Sequence, residues 1–332
     1  MRNRVARASI KGAHSSLVCL RWEDERNPLS QKPTKSESIL NLDVRVNVER
    51  LRRNLEIIVG ERNPFSAQPH LAAVEGFVEE EFESYGLHVE SDFFFYGGRR
   101  FRNIVARHPS QPSGPLLILG AHIDAVEGCP GADDNGTGVA VLLEAARFLA
   151  SERLRSRLLV CAFNLEELNM IGSAAFARKL KAAGERVAGM ISLEMVGYAD
   201  SRPGSQKYPV GLARLYPDRG DFIGVIGNWS SSALVRTFAA QMRQVPNLPV
   251  ETLAVPGKGW LIPAVRLSDH SPFWDLGYPA LMVTDTSFYR NPNYHAHSDT
   301  TDTLDLGFMA KVCEGVIRGV LGLDASDESK SR

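Results

Sequence analysis

Residues 115–150 limit the possible folds more sharply than any other stretch. Pro115-Leu-Leu-Ile-Leu119 is a short apolar run that reads as a buried strand, and residues 139–150 read as a helix. Between them, residues 120–138 carry His122, Asp124, Asp133 and Asp134 among glycines, with no regular period. Asn135-Gly136-Thr137-Gly138 is a turn and helix-start signal. A strand that ends in such a loop and returns as a helix is the unit of an open α/β sheet, and those sheets place ligands at the carboxyl ends of their strands. Imidazole and carboxylates on one such loop point to a metal.

The rest of the chain repeats the alternation. Strand-like runs fall at 116–119, 157–163, 187–193, 222–226 and 280–283, and helix-like runs at 139–150, 173–183, 233–244 and 306–321. Upstream, 46–59 and 69–85 have helical spacing, and the β-rich runs 89–96 and 103–107 flank Gly97-Gly98, a hairpin signal. This pattern predicts an α/β fold, a three-layer sandwich with a central, mostly parallel mixed sheet and helices on both faces. No internal Pro/Gly/Ser linker interrupts the pattern, so residues 43–325 read as a single domain.

Residues 1–42 differ. Through Ser36 they hold eight Lys/Arg and three acids, with no secretory apolar core and no apolar face. A disordered or processed leader is expected there, a transit peptide is the competing reading, and residues 326–332 read as a flexible tail. With no secretory signal, a cytoplasmic location is expected. The formal net charge of -1 gives no argument for nucleic acid or a membrane surface, and no apolar run nears the ~20 residues of a membrane helix. The four cysteines are widely spaced, without a CxxC pair. Cys161 and Cys313 read as small buried hydrophobes. Cys129 lies in the acidic loop, where His and carboxylates are the expected ligands.

Other polar residues recur after strands: Glu166-Glu167 after 157–163, Glu194 after 187–193, and Asp285 and the loop Tyr294-His295-Ala296-His297-Ser298-Asp299 after 280–283. A parallel sheet brings these ends to one edge. Two imidazoles and several carboxylates there would suit one or two Zn²⁺, with a carboxylate such as Asp134 as a bridge. In an adjacent Glu-Glu pair, one member can bind metal while the other acts as general base.

Ala121-His122-Ile-Asp124, Gly131-Ala-Asp133-Asp134-Asn-Gly-Thr-Gly138, Glu166-Glu167, Met195-Val-Gly, Ser268-Asp-His-Ser-Pro-Phe273 and Tyr294-His295 with Asp299-Thr300, in this order, resemble the co-catalytic two-zinc aminopeptidases. That family includes bacterial leucyl aminopeptidases, with glutaminyl cyclases and glutamate carboxypeptidases as relatives. The resemblance spans residues 46–322. It implies the zinc-exopeptidase fold and two Zn²⁺, one held by His122, Asp134 and Glu194 and the other by Asp134, Glu167 and His295. It further implies Glu166 as general base on a metal-activated water, Asp124 orienting the His122 ring, a cis peptide at Asp134-Asn135, and a peptide with a free N-terminus as substrate. Glu194 stands where these enzymes usually carry Asp, which leaves one zinc as an alternative count.

Other readings stay open at this stage. His297 competes with His295. Asp269 and His270 read as helix caps or as support for the ligands. Phe288, Tyr289, Trp260 and Trp274 read as core or as pocket lining. A single-zinc glutaminyl cyclase is the first alternative, although Tyr294 stands where cyclases carry Trp. A non-catalytic binding domain is the second, and a carboxypeptidase with Arg290 as carboxylate anchor the third.

Overall fold

The computed structural model describes residues 43–109 and 112–326. The expected leader, and all of the expected tail except Ser326, lie outside these residues. Eight strands form one sheet: β1 (His88–Tyr96), β2 (Arg99–Arg107), β3 (Leu116–His122), β4 (Arg157–Phe163), β5 (Val187–Glu194), β6 (Ile223–Asn228), β7 (Val250–Val255) and β8 (Ala280–Thr284). Their order is β1-β2-β4-β3-β5-β8-β6-β7. The pairings β4–β3, β3–β5, β5–β8 and β6–β7 are parallel, whereas β1–β2, β2–β4 and β8–β6 are antiparallel. The sheet is mixed and mostly parallel, as the alternation predicts.

The helices are α1 (Val48–Ile58), α2 (Gln68–Ser84), α3 (Gly138–Ala150), α4 (Ile171–Ala182), α5 (Ser232–Met242), α6 (Ser271–Asp275) and α7 (Leu306–Ser326). Successive strand residues point to opposite faces. Leu117 and Leu119 of β3 pack into a core with α1, α2, α3, α5 and α7, while Leu116 and Ile118 face the core that holds α4 and α6. Three layers result. Among the described residues, no helix is long and apolar enough to cross a membrane.

The crossover around β3 makes the site. α3 leads from β3 to β4 over one face, and α4 leads from β4 to β5 over the other. β4 and β5 therefore flank β3, which places its carboxyl end at a switch point where a crevice must open.

The pattern reading departs from the structure in two places. β7 was not expected, because Val250-Glu-Thr-Leu-Ala-Val255 is short and lies between Pro249 and Pro256. It forms a sheet edge, where the loss of an amide next to the strand costs no internal ladder bond. β2 starts at Arg99 rather than Asn103, because Arg99, Arg100 and Arg102 pair with β1 on a hairpin arm that hydrophobicity does not mark.

Candidate metal centre

His122 ends β3 and Glu194 ends β5. Leu165, with φ of 56°, turns the chain out of β4 and presents Glu166 and Glu167. His295, also at φ 56°, comes from the loop beyond β8. Non-glycine residues rarely occupy this region, and such strain gathers at functional sites.

These elements bring two groups of ligand atoms together. His122, Asp134 and Glu194 form one, Asp134, Glu167 and His295 the other, each with its atoms within 4.8 Å of one another. Asp134 belongs to both. Its Oδ1 lies 3.3 Å from His122 Nε2, and its Oδ2 lies 3.1 Å from His295 Nε2. Glu194 Oε2 is 3.6 Å from His122 Nε2, so the longer stem still reaches the ring. Glu167 Oε2 is 3.2 Å from His295 Nε2. Glu166 belongs to neither group, although its Oε2 lies 3.9 Å from His122 Nε2. His297 is exposed and outside both groups.

The support for this cluster is dense. Asp124 accepts the backbone amides of Glu166 at 3.1 Å and Glu167 at 3.2 Å, so it holds the Glu-Glu turn. The His122 Nδ1 contact to the Asp124 carbonyl, 3.2 Å, is closer than that to its carboxylate, 3.5 Å. Asp299 accepts the amides of Asp133 and Asp134. The Asp134–Asn135 peptide is cis, and the Asn135 side chain bonds Leu193 O and Met195 N at the end of β5. Ser268 donates to Glu194 Oε2 at 2.8 Å. Asp133 is buried, accepts from Gly197 N, Thr137 Oγ1 and Asn291 Nδ2, and also meets the Asp285 carboxyl.

Sequence reasoning missed Arg62. Fully buried, it donates to the carbonyls of Ile58, Gly60, Ile123, Pro130 and Gly131, and so ties the acidic loop to the end of α1. Gly131, at φ 63°, makes room: a Cβ there would meet the Asp134 carbonyl and, 2.7 Å away, Arg62 Nη2. A lone Arg carries no local pattern that announces this brace.

Other candidates are set aside by position. Cys129 is buried, its thiol pushed up to about 12 by burial, and its Sγ donates to Ala296 O. His270 Nε2 meets Val265 O, its Nδ1 is buried without a hydrogen-bond partner, and its ring packs edge-on against the buried Trp274. Burial lowers its pKa to about 3, so it is neutral. Asp269 is buried and belongs to neither group; burial pushes its carboxyl up to about 7 against the opposing pull of His122 and the Ser173 hydroxyl. Arg290 is buried and is not among the residues lining the cavity beside the cluster; it donates to Gln206 Oε1 and packs over Phe222, and its Nη2 has no hydrogen-bond partner.

The charge balance fits a cation. Burial pushes Glu166 well above the usual carboxylate range and Glu167 up to about 7. His295 is pushed up to about 10, because its bonds to Asp134 and Glu167 outweigh the effect of burial. His122 Nε2 and Glu167 Oε1 are buried without hydrogen-bond partners. Crowded carboxylates short of positive charge and lone pairs without donors are what a divalent ion would satisfy. Beside the cluster opens a cavity of about 320 Å³, with Leu212, Phe222, Leu253, Met282 and Phe288 among its walls.

Residues 103–320 match peptidase family M28. The chain is 39% identical over 285 residues to the uncharacterized protein YfbL of Escherichia coli, which covers 81% of this chain and 86% of that protein. It is 28% identical over 234 residues to a probable leucine aminopeptidase of Arthroderma otae, covering 64% of this chain and 55% of the relative, so it spans about half that protein's length. The crystal structure of the Legionella pneumophila LapA aminopeptidase shares the fold, with a TM-score of 0.70 and 20% identity over 91% of this chain and 78% of that one.

Proposed function

Because this chain belongs to peptidase family M28, we propose that it is a zinc-dependent aminopeptidase that removes the N-terminal residue from peptides. The observation that carries this reading is the pair of ligand groups sharing Asp134, with Glu166 beside them and bound to neither. His122, Asp134 and Glu194 would hold one Zn²⁺, and Asp134, Glu167 and His295 the other. When bound, the ions supply Lewis acidity to the scissile carbonyl and lower the pKa of water.

The chain's own residues do the rest. Glu166 takes a proton from the attacking water and returns it to the leaving amine. Burial raises its proton affinity, which suits a group that must hold that proton between the two steps. Asp124 fixes both glutamates through their backbone amides. The surplus of carboxylates favours an α-ammonium in the cleft and repels a substrate carboxylate. The apolar walls of the adjoining cavity favour an apolar N-terminal side chain. The leucine aminopeptidase relative supports the same preference.

The test uses leucyl p-nitroanilide and its N-acetyl form. We expect hydrolysis of the free amine, with the acetylated compound at least ~10-fold poorer, because acetylation removes a charge and its donors from a buried acidic site. Glu166→Gln should retain zinc and fold while kcat falls by ~10²–10⁴-fold. Equal cleavage of both substrates would exclude amine recognition. Cyclisation of an N-terminal glutaminyl peptide without hydrolysis would replace this reading with the cyclase one.

A further inference from the structure

A second cavity, of about 420 Å³, lies next to the catalytic one. Asn169, Met170 and Leu267 line both. The shared turn follows directly on the proposed base: the Met170 amide donates to the Glu166 carbonyl at 2.7 Å, and Asn169 and Met170 have φ of 75° and 56°. The two cavities therefore meet at the turn that carries Glu166.

Their chemistry is opposite. Asp134, Glu166, Glu167 and Glu194 line the catalytic cavity. The second cavity has two guanidinium groups, Arg178 and Arg266, against the single acid Asp275. Arg266 is already engaged: it donates to Asp275 Oδ2 at 2.8 Å and Lys258 O at 2.7 Å, and it stacks 3.6 Å from the centroid of the Trp260 ring. Arg178, on the exposed side of α4, has no ion-pair partner among the described residues. Ser271 also lines the cavity and is buried, with its Oγ lacking a hydrogen-bond partner.

We propose that this second cavity binds the leaving side of a short peptide substrate, with the substrate's terminal carboxylate on Arg178. The inference rests on the aminopeptidase reading above. Glu166 must face the leaving nitrogen to return its proton, so the leaving residue departs on the side of the Glu166–Met170 turn. That side is bordered by Asn169 and Met170, which also line the second cavity, whose size suits on the order of one or two residues. An acidic pocket for the ammonium followed by a basic pocket for the carboxylate matches the two charged ends of a dipeptide or tripeptide. The Trp260 ring, 66% exposed, offers an apolar wall to the leaving side chain.

The test compares Leu-Phe, its C-terminal amide and leucyl p-nitroanilide on the zinc-loaded full chain. The wild-type protein should show kcat/KM on the order of tenfold higher for the free acid than for the amide, as expected for a charged hydrogen bond in a partly shielded pocket. Arg178→Ala should lose that ratio through a raised KM for the acid alone, Arg178→Lys should recover part of it, and Arg178→Glu should invert it. The p-nitroanilide, which has no carboxylate, should be cleaved by all four proteins within about twofold of one another. Equal rates for acid and amide in the wild-type protein would overturn the subsite while leaving the aminopeptidase reading in place. An unchanged ratio in Arg178→Ala would do the same. No cleavage of any of the three substrates would overturn both.

Discussion

His122 hangs from the end of a central strand, whereas His295 hangs from a loop. The first side chain is 1% exposed and the second 35%. His122 is held by Asp124 from behind, and its neighbour Glu194 by Ser268. His295 depends on its own left-handed backbone and on Tyr294, whose ring stacks on it at 3.7 Å with an interplanar angle of 19°. Both groups share the Asp134 carboxylate, one oxygen facing each imidazole, but on supports of unequal rigidity. Ligands on strands are held more tightly than ligands on loops, and a buried ion exchanges with water less readily. The His122 half should therefore be the tight one and the His295 half the exchangeable one.

The comparison can be broken most severely at the residue common to both halves. Asp134→Ala removes a ligand from each group, and we expect loss of both zinc ions and a fall in kcat/KM of at least ~10⁴-fold, read by elemental analysis and p-nitroanilide hydrolysis. Retention of one full equivalent would show that the halves are independent. Substitution of one imidazole at a time sharpens the contrast. His122→Ala should cost about 10³-fold in kcat/KM, because it leaves Asp134, Glu166 and Glu194 as buried, crowded carboxylates. His295→Ala should cost less, about 10²-fold, should be partly rescued by excess zinc, and should leave one equivalent bound. The reverse order would place the rigid half at the loop.

The same contrast explains what could be read from the sequence. His122, Glu166, Glu167 and Glu194 each follow a strand that hydrophobicity marks, and a parallel sheet has few ways to arrange such ends. The sequence alone therefore groups them as one candidate site. His295 was legible by its place beside Tyr294, and only the fold separates it from His297, two residues away. The contact of Asp124 with the His122 ring and the cis Asp134–Asn135 peptide were expected from the resemblance, and the other supports were not legible. Arg62 acts through carbonyls far along the chain, and the role of Asp124 in holding the Glu-Glu turn depends on two backbone amides. Bonds to the main chain leave no residue pattern. The second cavity was equally silent, because Arg178, Trp260 and Ser271 come from α4, a loop and α6, and only the packing of these elements brings them together.

If two zinc ions share Asp134 in unequal halves, calorimetry of zinc titrated into the metal-free full chain will resolve them. We expect two equivalents per chain in two resolved steps, the tighter surviving in His295→Ala and the weaker absent from it. A single equivalent at saturation, or two steps that both persist in His295→Ala, would contradict it.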